Sequence, residues 1–403
     1  MVIWNRVTER VLQISRGLRR NSEPPAAKVE ARKDALGLPE WDPGIERTNA
    51  ESIAWLSRAQ DCSTSADGGF ARHYSLIDGW STSYPETTGY IVPTLLDYAH
   101  VKKAAEVRMR AKKALDWLSA IQLPEGGFQG GRIESRPVMP VTFNTGQILL
   151  GLAAGYRAFS AYGEAMTRAA DWLAATQDPD GCWRRFPTPF AKPGEKAYET
   201  HVSWGLFEAE RNMPGRGYGE AGLRQVRWAL GCQRENGWIE KCCLTDPQEP
   251  LTHTLGYALR GIVEAYRLSQ EKIFLDAAKR TADGLLSALG SNGFLPGRLA
   301  SNWRGTVSWA CLTGTVQVAH SWLLLYGCTG DVRYRDGGFL ANRYVRRTMS
   351  VDGPPEVRGG IKGSFPIDGD YGCCEYLSWA VKFAVDSNLL EQAIRGRERR
   401  DDW

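Results

Sequence analysis

The chain has 403 residues and a formal net charge of +4. So mild a charge lacks the concentrated basic stripe of a nucleic-acid-binding protein, so no nucleic-acid partner is expected. No apolar run is long enough to span a membrane. The nine cysteines are odd in number and include two adjacent pairs, Cys242-Cys243 and Cys373-Cys374. That usage reads as reduced, intracellular thiols and not as a disulfide framework, which places the protein in the cytoplasm. CxxC and HExxH spacings are absent, so neither a metal nor a cofactor is expected. Fifteen tryptophans suit core filling and equally the flat face of a sugar or an isoprenoid.

The first 20 residues carry Ile3, Trp4, Val7, Val11, Ile14 and Leu18 at helical spacing, with Arg6, Arg10, Arg16, Arg19 and Arg20 between them. The pattern predicts an amphipathic helix. Two readings stand beside each other: a helix packed on the outside of the domain, or weak contact with the inner membrane surface. Asn21–Gly37 is rich in Pro, Ala and charge and reads as a linker. Residues 1–44 are thus an arm and linker, 45–390 one domain and 391–403 a charged tail.

From about residue 45 the chain repeats itself. An amphipathic helix ends in Gln or its equivalent at Gln60, Gln122, Gln177, Gln233 and Leu289, and Trp55, Trp117, Trp172 and Trp228 mark the period. A Gly turn follows, as in Asp67-Gly-Gly-Phe70, Asp180-Gly-Cys-Trp183 and Asn292-Gly-Phe294, with a looser sixth copy after Tyr344–Met349. Glycine ends the helix in a left-handed conformation. Each unit then runs into a Thr-rich start and an apolar helix carrying glycines, of which Tyr84–Ala99 is the clearest. One such hairpin cannot bury its own apolar face, so the units must stack. Six that close on themselves give an all-α fold, an (α/α)6 toroid, with inner-helix N-termini around its mouth.

Gln177-Asp-Pro-Asp180-Gly181-Cys-Trp183 resembles the Gln-x-x-Asp-Gly-x-Trp repeat of terpene cyclases and protein prenyltransferases. The implied barrel is similar to that of six-hairpin glycosidases, uronate polysaccharide lyases and sugar epimerases. The chain departs from both isoprenoid chemistries. It has no Asp-x-Asp-Asp run for protonating an alkene. Asp370 and Cys373 are followed by no histidine, so the zinc set of the prenyltransferases is incomplete.

Helix N-termini favour anionic ligands, so the residues expected at the mouth are the candidates for chemistry. Glu86 and Glu375 belong to units that become neighbours when the ring closes, and they are expected as a catalytic carboxylate pair. His201 and His253 are the candidate bases, since histidine titrates near neutrality. Arg72, His73, Tyr74, Trp80, Asn144, Glu199, Tyr257 and Trp303 are the expected substrate-binding residues. His100 and His320, late in their helices, read as packed. Gly215-Arg-Gly-Tyr-Gly219 and Asp368-Gly-Asp370 read as loops. The leading expectation is a glycoside hydrolase acting on an acidic glycan. A uronate lyase or C5-epimerase using His and Tyr, an isoprenoid-handling protein and a glycan-binding module without turnover stay open. The sequence leaves the oligomeric state undetermined.

Overall fold

The structure is a computed structural model and describes residues 24–401. The amphipathic pattern of the first 20 residues lies outside them. Outer helices Ile45–Asp61, Ala105–Ala120, Gly163–Thr176, Tyr218–Leu230, Lys272–Ser287 and Val332–Thr348 alternate with inner helices. The inner helices are Pro85–Lys102, Thr142–Phe159, Thr200–Asn212, Thr252–Ser269, Leu312–Thr329 and Ser378–Asp401. Each inner helix packs on the next, and the last packs on the first. The ring is therefore closed, an all-α (α/α)6 toroid.

The two kinds of helix differ as their sequences do. Outer helices bury one stripe, whereas every residue from Thr142 to Gly155 of the second inner helix is buried. A helix apolar on all sides is stable only inside a core. Glycine sets how close the inner helices come. A Cβ on Gly151 would strike the carbonyl of Gly89, and one on Gly205 would strike that of Gly146.

The repeated Gln and Gly are one device. Gln122 donates from Nε2 to the carbonyl of Gly126 at 2.9 Å and to that of Ala165, on the next outer helix, at 2.9 Å. Gln177 does the same with Gly181 and Ala221, at 2.9 and 2.8 Å. Each side-chain amide thus ties its own turn to the following hairpin. Trp55 serves the closing joint, donating from Nε1 to Glu356 O at 2.7 Å.

Short strands occupy the loops that lead to the inner helices. β1 (His73–Ser75) pairs antiparallel with β2 (Gly79–Trp80) and with β5 (Glu375–Leu377), which aligns Ser75 with Glu375. This sheet joins the first unit to the last. β3 (Ala310–Cys311) pairs with β4 (Ser364–Phe365).

The linker reading of residues 21–37 needs correction, because Pro25–Asp34 is a helix. Proline suits its first turn, where the missing N–H has no intrahelical partner. Arg32 and Lys33 stay exposed, but Asp34 is buried against Lys362 Nζ at 2.5 Å and accepts from Ile367 N at 2.9 Å. The last inner helix continues past residue 390 to Asp401, through the segment read as a tail. Its Glu391 is buried against Arg346 at 3.0 Å.

Candidate active site at the barrel mouth

The inner-helix N-termini and their loops enclose a cavity of about 420 Å³, lined among others by Arg72, Glu86, Arg132, His253, Tyr257 and Glu375. That volume is typical of small-molecule sites.

Glu86 is the second residue of the first inner helix, directly after Pro85. Burial among Tyr84, Tyr90 and Tyr257 disfavours its charge. The Arg72 guanidinium and a hydrogen bond from Tyr84 pull the other way and lose, so the carboxyl is pushed up to about 7. A carboxylic acid with that pKa carries its proton for part of the time at neutrality, as a general acid must.

Arg72 is the hub of the opposite wall. Its Nη1 donates to Glu375 Oε2 at 3.1 Å and to His73 Nδ1 at 2.6 Å. Its guanidinium lies over the Trp379 ring, 4.9 Å from the centroid. The β1–β5 register places Glu375 here, joining the first and last units as the ring closure requires. Arg132, on the loop after the second Gly turn, also lines the cavity, with no carboxylate within 4 Å among the described residues.

His253 is the second residue of the fourth inner helix. Its Nδ1 lies 2.8 Å from Gln317 Oε1. An amide oxygen only accepts, so this pairing assigns the proton to Nδ1 and leaves Nε2 as an acceptor. Burial lowers the imidazole to about 4, against the Gln317 bond that raises it, so the ring is neutral at pH 7. Its faces meet Tyr257 at 4.4 Å and Tyr371 at 5.2 Å between centroids. Burial raises the Tyr257 and Tyr371 phenols well above their usual range, so both remain protonated donors.

The other expected residues lie elsewhere. His201 pairs with Gln147 Oε1 at 2.6 Å, as His253 does with Gln317, but sits under Tyr257 with its Nε2 buried and unpartnered. Asn144 is buried beside the Tyr84 hydroxyl and supports that wall from behind. Glu199 is buried outside the cavity, and desolvation, opposed by Lys196, raises it to about 8. His73 is buried behind Arg72, and desolvation, aided by Arg72 and Arg132, lowers it to about 3. Tyr74 and Trp80 pack on each other at 5.2 Å in the β1–β2 hairpin, with Trp55 beneath Trp80 at 5.1 Å. Trp303 is wedged between hairpins, its ring 5.3 Å from Trp238 and its Nε1 donating to Asn236 O at 3.0 Å. Of the residues expected to bind substrate, Arg72 and Tyr257 thus line the cavity.

Sequence reasoning missed Tyr84, Tyr198, Phe190, Tyr371 and Trp379, all of which line it. A signal for three was present. Tyr84 precedes the first inner helix, Tyr198 lies in the turn before the third, and Trp379 is the second residue of the sixth. Among the described residues no group of His, Cys, Asp and Glu is arranged to hold a metal ion. No described helix is long and apolar enough to cross a membrane.

No protein-family model and no curated protein sequence matches the chain. Solved structures do match its shape. An unsaturated glucuronyl hydrolase specific for heparin is similar with a TM-score of 0.70 and 14% identity, covering 87% of this chain and 98% of that one. The unsaturated glucuronyl hydrolase of Bacillus sp. GL1, responsible for glycosaminoglycan degradation, gives 0.67 and 12%, covering 86% and 96%. That of Streptococcus agalactiae gives 0.62 and 11%, covering 89% and 94%. At such identities the likeness is one of fold: the chain shares the helical toroid of the unsaturated glucuronyl hydrolases over nearly their whole length.

Proposed function

We propose that the protein is a glycoside hydrolase acting on an acidic oligosaccharide. One observation carries this reading: Glu86, held near a pKa of 7, opens into a cavity walled by aromatic rings and two arginines. Aromatic faces suit the C–H faces of a sugar. Arg132, without a carboxylate of its own, takes the acidic group of the substrate by charge-assisted hydrogen bonds. Glu86 gives its proton to the substrate, and Glu375, oriented by Arg72, receives a proton from the attacking water. One water is consumed for each glycosidic bond broken. Its oxygen ends on the sugar, and the proton from Glu86 is regained from solvent. The proposed unit is the toroid with the Pro25–Asp34 helix clasped to it through Asp34 and Lys362, and its proposed partner is the glycan itself.

The structural neighbours are unsaturated glucuronyl hydrolases, so oligosaccharides ending in an unsaturated glucuronyl residue are the substrates to test first. Incubation should add the mass of one water and remove the ultraviolet absorbance of the conjugated double bond. Glu86→Gln and Glu375→Gln should abolish both changes. New unsaturated ends from an intact acidic polysaccharide would instead support elimination. That second reading draws on the neutral His253 against Tyr257 and Tyr371. Arg132 weighs against an isoprenoid ligand, which would cover its guanidinium and offer it no partner. No change to any acidic glycan would overturn the hydrolase reading.

A further inference from the structure

A second cavity, of about 400 Å³, adjoins the first, and Leu244 lines both. One loop walls the two: Thr188 and Phe190 face the first, while Lys192, Glu195 and Lys196 face the second. The loop is pinned to the Lys241–Pro247 turn by Lys192 N donating to Leu244 O at 2.8 Å and Ala197 N to Lys241 O at 3.1 Å. The two cavities therefore lie side by side, with Leu244 and this loop as their shared wall.

The lining of the second cavity is out of charge balance. It holds three lysines, Lys192, Lys196 and Lys241, against the single carboxylate of Glu195. Glu195 is already taken by Lys241 and by Arg184, the latter at 2.6 Å. Lys192 and Lys196 have no carboxylate within 4 Å among the described residues. Lys196 decides the matter, because it is only 9% exposed. Its stem is packed away while its ammonium is not among the buried nitrogens, and no carboxylate lies against it to neutralise its charge. The acid behind it, Glu199, has its own charge disfavoured by burial and does not close an ion pair with it.

We propose that this second cavity binds an anionic group, a carboxylate or a sulfate ester, on the sugar that follows the one held over Glu86. Lys196 is the central contact, with Lys192 at the open side. The sugar rests on the proposed function, whereas the anion site rests on the lysines alone. The two cavities together would thereby select oligosaccharides charged on two successive sugars.

The test is binding by calorimetry to the Glu86→Gln protein, in which turnover is expected to be about 10³-fold slower. The probes are disaccharides ending in unsaturated glucuronate whose second sugar carries a sulfate ester, a carboxylate or neither. A charged second sugar should bind about 10-fold more tightly, ~1.4 kcal/mol, and the better of the two identifies the group. Lys196→Met should remove that preference without changing affinity for the uncharged probe. The exposed Lys192→Met should reduce it in part. Equal affinities for the three probes, or a preference that survives both substitutions, would overturn the proposal. A separate arm uses inorganic sulfate, comparing Tm with chloride at equal ionic strength. A sulfate-specific rise that Lys196→Met abolishes supports the site even if no disaccharide binds, in which case it is the hydrolase reading that fails. If no disaccharide binds and sulfate raises Tm equally in both proteins, or in neither, the site is overturned.

Discussion

The mouth of the barrel and its interior one to three turns below both hold buried charge, and they handle it in opposite ways. Below the mouth, Glu264 accepts from Arg260 at 2.9 Å and Arg267 at 2.7 Å, and Lys382 meets Asp386 at 2.6 Å. Thr94 donates to the other oxygen of Asp386 at 2.6 Å, and Arg260 lies 3.8 Å over the Trp204 ring. Burial would raise Glu264, but Arg260, Arg267 and Arg211 overcome it and hold the carboxyl below its usual range. At the mouth, burial wins over Arg72, and Glu86 rises to about 7. Both are glutamates on inner helices, Glu264 fully buried and Glu86 half-buried in the cavity wall. The difference is the number of cations each meets: three for Glu264 and one, already shared with Glu375, for Glu86. Several cations around one carboxylate make its charge structural, and a single shared cation leaves a proton to transfer.

Two substitutions test that contrast most strongly. Glu86→Gln should lower kcat by about 10³-fold, within the range for a positioned acid, while urea denaturation shows stability unchanged or raised. Glu264→Ala should do the reverse, costing ~3–5 kcal/mol because it strands Arg260 and Arg267, with kcat per folded molecule preserved. Loss of activity in the second at full stability would erase the distinction between the two regions.

The pH dependence should separate them next. Glu86 has a folded pKa raised above its unfolded value, so the native state holds the extra proton. Its contribution to stability is complete below about 4.5 and is lost as pH rises toward about 7. Glu264 is depressed, so its contribution is present above the unfolded pKa and is lost as pH falls through the folded one. Urea midpoints measured across this range should therefore show a falling segment to which Glu86, Asp97 and Glu199 all contribute, and which Glu86→Gln makes shallower. The rate should fall as pH rises through about 7, because the folded acid loses its proton there.

The sequence made the ring legible for a physical reason. Closure forces one helix of every unit to be buried all round and the turn before it to be tied to the next unit, so glycines and Gln–Gly turns recur. It also put Glu86 and His253 near the mouth, since first-turn positions of inner helices point there, with Tyr257 one turn below His253 and Arg72 and Glu375 on the segments that lead to the inner helices. It could not say how far each inner helix is set back. His201 and His253 are both second residues of their helices, yet the turn Ala197–Glu199 precedes the third inner helix and Tyr198 takes the cavity position instead. Glu199 is displaced by the same turn. Trp303 was misplaced because an aromatic near a Gly turn can face the cavity or the neighbouring hairpin, and local sequence does not distinguish the two. Lys196 carried no periodic signal, and its burial comes from a loop fold.

The smallest effect should come from Gln317, which touches His253 and does not line the cavity. Its Oε1 fixes the imidazole proton on Nδ1, so Nε2 can accept a hydrogen bond from a sugar hydroxyl. Gln317→Leu removes the acceptor and lets the proton move to Nε2, exchanging an acceptor for a donor. One neutral hydrogen bond is worth about 0.5–1.5 kcal/mol, so KM should rise about threefold to tenfold with kcat little changed. Nitrogen NMR of His253 should show the tautomer shift in the variant, and Gln317→Glu, which keeps an oxygen at that place, should restore the original tautomer. A raised KM with an unaltered tautomer would mean that Gln317 acts through packing alone. A lowered kcat would move His253 from holding the substrate to transferring its proton, and with it the balance toward elimination.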